Sequence, residues 1–154
     1  MRKYIITTFF LFIISSPLLT FSQVKLSPNG VTVIAEVGAT DGYNYILNGV
    51  SYIVTGNINN LFFDLGRRDA STIATTRITR MDGVFRDRPT FNEDISSWDT
   101  SNVTNMEQMF VRASSFDQDI SNWDISSLQN TYLMFYQATA FSTENYNKLL
   151  IGWS

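Results

Sequence analysis

A period of 25 residues between positions 91 and 140 limits the fold of this chain more than any other feature. The stretch FNEDISSWDTSNVTNMEQMF at 91–110 begins again at 116 as FDQDISNWDISSLQNTYLMF, and eleven of the 25 positions in 91–115 are identical in 116–140. A weaker earlier copy keeps part of the same apolar set, at Ile78, Met81, Val84 and Phe85. A fixed period of this length is typical of a short repeat array.

Each copy combines two spacings of apolar residues. Four of them in the first full copy fall at i, i+3, i+4 and i+7: Met106, Met109, Phe110 and Ala113. This spacing predicts helices over 103–113 and 128–138, and the alternating stretch ISSWDTS before the first of them predicts a strand. Because one strand and one helix cannot bury their apolar faces alone, we expect an α/β solenoid of about three stacked strand–helix units. Six side chains are predicted to be buried in it: Trp98, Trp123, Phe110, Phe135, Phe116 and Met109.

Residues 31–65 do not follow the period. VTVIAEV predicts a strand, and YNYILNGVSYIVT predicts a β-hairpin around Asn48–Gly49, a strong two-residue turn signal. INNLFFDLGRRD predicts a short helix that ends at Gly66. We expect 23–65 to form an N-terminal β-rich cap on the first unit and 66–154 to form the repeats with a C-terminal closing unit. A separate small N-terminal domain is the alternative.

The first 22 residues have the pattern of a secretory signal peptide. Two cationic residues precede an apolar run from Ile5 to Ile14, and small or polar residues lead to a cleavage site after Ser22. The apolar run is about half the length that spans a bilayer, so a retained N-terminal anchor is the less favoured alternative. We expect residues 1–22 to be removed, Gln23 to become the first residue, and the protein to be secreted or held at the cell surface without a transmembrane segment.

Composition excludes several classes of function. The chain has no cysteine and no histidine, which removes thiolate chemistry, cysteine-ligated metals and the commonest general base. Its net charge of −3 argues against nucleic acid and anionic membrane surfaces as partners. Serine and aspartate recur at equivalent positions of the copies, whereas a catalytic site is a single asymmetric arrangement. We therefore expect no enzyme activity and no cofactor.

Three further patterns have both a functional and a structural interpretation. Trp98 and Trp123 lie one period apart, which suits an aromatic ladder for sugar rings or, as we favour, core packing. Six acidic residues suggest calcium bound between turns: Glu93, Asp94, Asp99, Asp117, Asp119 and Asp124. Only DQD at 117–119 has the spacing of a calcium loop, the repeats lack its glycine, and turn formation is favoured. Six arginines between 64 and 90 precede an acidic stretch, and we favour surface ion pairs over a binding feature.

The repeated motif resembles that of a known family. Residues 91–114, FNEDISSWDTSNVTNMEQMFVRAS, are similar to the units of the BspA-like leucine-rich-repeat surface proteins of bacteria. The resemblance extends over 91–140, and FSTENYNKLLIGWS at the end of the chain looks like a closing unit. It implies an exported fold of the leucine-rich-repeat type and a role in surface display, adhesion or recognition, without fixing one ligand.

The strand phase predicts a polar, acidic surface. With both repeat tryptophans facing inward, six side chains face outward on adjacent strands: Ser97, Asp99, Ser101, Asn122, Asp124 and Ser126. Parallel strands lie about 4.8 Å apart, so these side chains would form a regular grid for a protein or glycan partner, with electrostatics favouring a basic one. We expect a non-catalytic binding or adhesion module. The alternative is a structural spacer, or a fragment of a longer adhesin, with no ligand of its own.

Overall fold

The computed structural model of the chain describes residues 24–27, 32–36 and 38–154. The predicted signal peptide, 1–22, and the predicted first residue, Gln23, lie outside the described residues. In chain order the regular elements are β1 (Val24–Leu26), β2 (Val33–Ala35), β3 (Asn44–Leu47), β4 (Val50–Val54), α1 (Ile58–Leu65), a 3-10 turn (Ala70–Thr72), β5 (Ile73–Ala74) and α2 (Thr143–Gly152).

The strands form two small sheets near the N-terminus. β1 pairs with β2 in antiparallel fashion, and a second sheet has the order β3-β4-β5, with β4 antiparallel to β3 and parallel to β5. β3 and β4 form a hairpin around Asn48 and Gly49, whose φ angles of 51° and 82° are both left-handed. Two left-handed residues give a hairpin loop the twist of its strands, and Asn and Gly adopt this conformation at low cost.

Both helices begin at a side-chain cap. The Asn57 carboxamide oxygen accepts the N–H groups of Asn59 and Asn60 at 3.0 and 3.1 Å, and α1 buries Leu61 completely. The Ser142 hydroxyl oxygen accepts the Asn145 N–H at 3.2 Å at the start of α2. These bonds satisfy N–H groups that have no partner within the helix. Neither helix of the described chain has the length and apolar character needed to cross a bilayer.

The predicted α/β solenoid of leucine-rich-repeat type, with strand–helix units, is wrong. The structure has two short sheets, and from 75 to 142 it has no strand longer than an isolated bridge and no helix. Residues 103–113 and 128–138, which were predicted to be helical, instead pass through consecutive tight turns. We call the three stretches of such turns turn segment 1 (82–87), turn segment 2 (107–112) and turn segment 3 (132–137).

Left-handed residues at regular intervals explain the absence of helices. In turn segment 2 they are Gln108 and Arg112, with φ of 55° and 57°, and in turn segment 3 they are Leu133 and Gln137, with φ of 54° and 61°. An α-helix requires φ near −63° at every residue, so a left-handed residue at every fourth position interrupts it. Apolar residues three and four apart are still buried, because each turn brings them back to the same side.

Hydrogen bonds join the turn segments at alternate residues. In the first pair, the N–H groups of 81, 83, 85 and 87 donate to the carbonyls of 105, 107, 109 and 111; in the second, those of 106, 108, 110 and 112 donate to the carbonyls of 130, 132, 134 and 136. All eight bonds are 2.8–2.9 Å long. Several intervening N–H groups close turns locally, as in Met109 to Met106 and Val111 to Gln108. The backbone around the turn segments is therefore bonded partly within a copy and partly to the next one.

The core follows the 25-residue period even though the secondary structure does not. The Trp98 and Trp123 rings stack with centroids 6.4 Å apart and planes 2° apart, and their indole N–H groups donate to the carbonyls of Ala70 and Ile95. Five of the six predicted core residues are at most 3% exposed, which confirms the prediction for Trp98, Trp123, Phe110, Phe116 and Met109. The sixth, Phe135, is only half-buried.

Candidate functional site

The first half of the predicted polar surface does not face outward as a strand would. Trp98, Asp99 and Thr100 are consecutive and all buried, so the alternation of inward and outward side chains is absent. Asp99 is 6% exposed, and its carboxylate accepts both the N–H and the hydroxyl of Ser101, at 3.1 and 2.6 Å. The Ser97 hydroxyl donates to the carbonyl of Ser71 at 3.2 Å. These three side chains hold neighbouring backbone in place.

The second half of the predicted surface is more open. Asn122, Asp124 and Ser126 are exposed. The Asn122 side-chain amide donates to the Ser96 carbonyl at 2.8 Å, and the Asp124 carboxylate accepts the Ser126 N–H at 2.9 Å. Hydrogen bonds from the side chain and backbone of Ser126 lower the pKa of Asp124. The structure thus separates the six residues into a partly buried set and an exposed set, and their role in partner binding stays a prediction.

A groove that the sequence did not predict lies between turn segment 3 and α2. It encloses about 560 Å³ and is lined mainly by apolar and aromatic side chains, among them Leu128, Leu133, Phe135, Tyr146, Leu149 and Trp153. None of its lining residues carries a charge. Of the eleven large hydrophobic residues that are exposed in the described chain, four line it, Leu133, Tyr136, Tyr146 and Leu150, and two more, Tyr132 and Ile151, are next to lining residues in the sequence. Clustered exposed apolar residues mark an interaction surface more often than scattered ones do.

One signal in the sequence points to this groove. The second copy has Tyr132 and Leu133 where the first copy has Glu107 and Gln108, and Tyr136 where the first has Val111. These substitutions place apolar groups on turn segment 3, where 40–63% of each side chain is in contact with solvent. The departure from the repeat pattern is visible in the sequence, but its meaning depends on knowing which edge of the copy is uncovered.

The groove also has a polar edge. The N–H groups of turn segment 2 and the residue before it donate to turn segment 3, but the equivalent N–H groups of Thr131, Leu133, Phe135 and Gln137 have no acceptor among the described residues. Three of these four residues line the groove. The groove therefore combines an apolar surface with a row of unused backbone donors on alternate residues.

α2 forms the other wall of the groove and is anchored by Asp117. The Asp117 carboxylate accepts the N–H of Ser142 at 2.9 Å, its hydroxyl at 2.7 Å and the side-chain amide of Asn145 at 2.8 Å. The bond from the Ser142 backbone is the main reason that the pKa of Asp117 is lowered. At the other end of the helix the Trp153 indole N–H donates to the Ile120 carbonyl at 3.3 Å. The groove thus has a fixed wall.

These contacts predict a dependence of stability on pH. Folding lowers the pKa of Asp117, Asp119 and Asp124 below the ordinary value of 3.8. As the pH falls, these carboxylates therefore take up protons in the unfolded chain before they do so in the folded chain. The stability that they contribute is complete well above about pH 4. It is lost as the pH falls through their lowered pKa values. We expect the difference in unfolding free energy between the wild type and Asp117→Asn to be constant from pH 7 to pH 5 and to shrink below about pH 4. Urea unfolding at each pH measures it, and a difference that grows on acidification would contradict the assignment.

Other candidate sites offer less. The structure describes no group of three or more acidic residues that could hold a metal ion, and the carboxylate of Asp119 instead bonds to Ser121 and lies 3.4 Å from the amine of Lys148. A cavity of about 460 Å³ beside α1 contains Asp64, whose pKa is raised by burial while the charge of Arg68 acts in the opposite direction. Among the arginines, Arg77 pairs with Asp41 at 2.9 Å, an ion pair within the chain.

Comparisons with known proteins identify a family but no individual relative. Searches of curated proteins and of solved structures found no match. A family model described as "Mycoplasma protein of unknown function, DUF285" matches residues 56–150. This match covers more than half of the chain and includes α1, the three turn segments and most of α2, and therefore both walls of the groove. The chain belongs to the DUF285 family.

Proposed function

We propose that the protein is a non-catalytic binding module, secreted or held at the bacterial cell surface, whose partner occupies the groove between turn segment 3 and α2. The resemblance of residues 91–140 to BspA-like leucine-rich-repeat surface proteins supports a role in recognition or adhesion. The signal-peptide pattern at 1–22 supports export. The absence of histidine and cysteine from the sequence supports a module without catalysis.

The observation that carries this proposal is Leu133. Its φ of 54° is left-handed, and its side chain is 40% exposed. A non-glycine residue in this conformation costs about 1 kcal/mol or more. At 40% exposure, Leu133 also leaves a large part of its apolar surface in contact with water. The equivalent residues, Gly83 and Gln108, share the conformation without exposing an apolar side chain. The left-handed turn is common to the three copies, so what distinguishes turn segment 3 is the exposed apolar side chain at this position, and clustered exposed apolar residues mark interaction surfaces.

The lining of the groove favours a partner with apolar groups. Tyr136 and Tyr146 are 51% and 48% exposed, and each has a flat ring with a polar hydroxyl at its tip. Tyrosine is enriched in binding surfaces because it gives large contact area with few rotatable bonds. A protein or a glycan can use such rings, and both belong to the proposal. The polar surface of Asn122, Asp124 and Ser126 is a second candidate, because these side chains are exposed and include the carboxylate of Asp124.

A single substitution separates the groove from the polar surface. We expect Leu133→Asn to change the unfolding free energy by no more than about 1 kcal/mol, because asparagine tolerates a left-handed φ better than leucine does and this gain offsets the loss of partly buried apolar surface. The same change should weaken partner binding roughly tenfold, as loss of a central apolar contact does. Binding is measured on arrays of matrix proteins and glycans, and the affinity for any retained ligand is then determined in solution.

The control is Asp124→Ala, which removes an exposed carboxylate outside the groove. It should leave binding at the wild-type level. Weakened binding in Asp124→Ala together with unchanged binding in Leu133→Asn would transfer the site to the polar surface. A wild type that retains no ligand above background would contradict the module and favour the structural spacer.

A further inference from the structure

The two edges of each turn segment differ in hydrogen-bonding character. Toward the next copy a turn segment presents N–H groups, and toward the preceding copy it presents carbonyls, as the eight bonds of the two observed pairs show. The uncovered edge at 131–137 is therefore composed of donors, and the carbonyls of Thr131, Leu133 and Phe135 are used by the turns themselves. An occupant of this edge has to supply acceptors.

The opposite end of the chain is covered. Val84 and Phe85 in turn segment 1 are completely buried, whereas Phe135 in turn segment 3 is half-buried and its neighbour Tyr136 is 51% exposed. Two molecules that met through their 131–137 edges would place donors against donors, which leaves the backbone groups of both unpaired. The edge thus disfavours a symmetric dimer of this chain.

The chemistry of the groove narrows the occupant further. Its lining residues include no arginine, lysine or acidic residue, so no charged side chain in it would pair with a carboxylate, phosphate or ammonium group. The unused N–H groups lie on alternate residues along the edge, and a row of acceptors with the same spacing fits them better than one compact anion does. Neutral acceptors on alternate residues, together with apolar side chains, are what a polypeptide backbone provides. The chain contains such an interface already, where the carbonyls of 130, 132, 134 and 136 accept from turn segment 2 and the residue before it at 2.8–2.9 Å.

We infer that the groove binds a peptide segment of a partner protein that adds to the edge of turn segment 3 as a further turn segment. Backbone carbonyls on alternate residues of the partner accept the N–H groups of Thr131, Leu133, Phe135 and Gln137, and its apolar side chains cover Leu133 and Phe135. This is edge addition of the kind that sheets use for peptide recognition, with main-chain bonds giving affinity and pockets giving selectivity. The inference rests on the proposed function, because it names the class of partner for the same groove.

The probe is a synthetic peptide with the sequence of residues 127–140, SLQNTYLMFYQATA, because these residues supply the acceptor edge in the observed interface. A peptide of scrambled order is the control. Titration into the protein, followed by amide hydrogen exchange, should show binding with protection of the four amides at 131, 133, 135 and 137. Binding by the scrambled peptide with the same protection would overturn the inference.

A matched pair of variants tests the bonds themselves. Thr131→Pro removes one donor, and Thr131→Ala retains it while removing the same side chain. We expect the peptide to bind Thr131→Pro about 3- to 10-fold more weakly than Thr131→Ala, the loss typical of one hydrogen bond. A backbone ester at Phe135, in which an oxygen replaces the N–H group, removes a donor without changing the side chain. It should also weaken peptide binding about 3- to 10-fold, and it is the independent test in case proline at 131 distorts the turn.

The outcomes separate the inference from the proposed function. If the peptide binds Thr131→Pro as tightly as Thr131→Ala, and the Phe135 ester as tightly as the wild type, the backbone N–H groups do not bind carbonyls of the partner. That result contradicts the inference, but the groove can still be the binding site. The inference is also contradicted if the peptide does not bind at concentrations up to about 1 mM. If the arrays then identify a glycan whose binding is weakened by Leu133→Asn, the binding module stands and its partner class is a carbohydrate.

Discussion

Trp98→Ala should lower the unfolding free energy by about 3–5 kcal/mol, the usual cost of truncating a buried aromatic side chain to alanine. Trp98 is 1% exposed, and its ring lies 6.4 Å from that of Trp123 and 5.6 Å from that of Phe85. Its indole N–H also satisfies the buried carbonyl of Ala70 at 2.9 Å. A small domain has only about 5–15 kcal/mol of stability in total, so the variant should be close to unfolding at 37 °C. Urea denaturation followed by circular dichroism measures the loss.

The matched control for this prediction is Trp98→Phe. Phenylalanine keeps an aromatic ring beside Trp123 but cannot donate to Ala70, so we expect an intermediate cost of about 1–3 kcal/mol from the unpaired carbonyl and the smaller ring. Equal losses in the two variants would mean that the hydrogen bond, and not ring packing, is the main contribution of Trp98. A loss under about 1 kcal/mol in Trp98→Ala would contradict the buried position of the side chain.

Phe110→Ala should have a cost of similar size, about 3–5 kcal/mol. The side chain is completely buried, and its ring lies 4.0 Å from that of Phe116 and 5.3 Å from those of Phe85 and Phe135. Removing it leaves a cavity beside the ring of Phe85 from the preceding copy and the rings of Phe116 and Phe135 from the following copy. The loss of packing should therefore spread along the core, and the near-ultraviolet circular dichroism of the aromatic residues should weaken together with the stability.

Phe135→Ala is the natural comparison, because Phe135 occupies the same position one copy later. It is half-buried and contacts the rings of Phe110 and Phe141, at 5.3 and 4.6 Å. Less apolar area is withdrawn from water at this position, so we expect roughly half the cost of Phe110→Ala. A cost in Phe135→Ala equal to that in Phe110→Ala would show that the open end of the core is in fact covered.

The sequence predicted burial much better than it predicted backbone conformation. The 25-residue period placed Trp98, Trp123 and Phe110 correctly in the core, because a repeated bulky residue is explained most simply by contact with its own copies. The same period led to helices that do not exist. Spacings of three and four residues are shared by an α-helix and by consecutive tight turns, and only the sign of φ distinguishes them. Glycine marks this sign at Gly83, but Gln108 and Leu133 carry no such signal.

The polar surface and the groove show a second limit. Asp99 and Asp124 occupy equivalent positions in the sequence, yet one is 6% exposed and the other is exposed. A segment near the N-terminus contacts the first copy two residues before Asp99, where the Val33 N–H donates to the Ser97 carbonyl at 2.9 Å. Such long-range contacts are not encoded in the local pattern. The hairpin around Asn48–Gly49 was predictable because its turn chemistry is local. The groove was not predictable, because its position depends on how α2 packs beside turn segment 3 and on which edge of that segment stays open.

The spacing of the backbone bonds between turn segments has a consequence for the order in which the chain folds. Each of these bonds joins residues 24 positions apart, which is about one sixth of the chain length, and no pair of turn segments depends on a contact between the two ends of the molecule. The entropy lost in closing each loop is therefore nearly the same for every added copy and never large. One docked pair of turn segments can act as a nucleus on which the neighbouring segment assembles. The tether of Asp117 to Ser142 at the start of α2 spans 25 residues, so closing it should lose about as much entropy as docking any pair of turn segments.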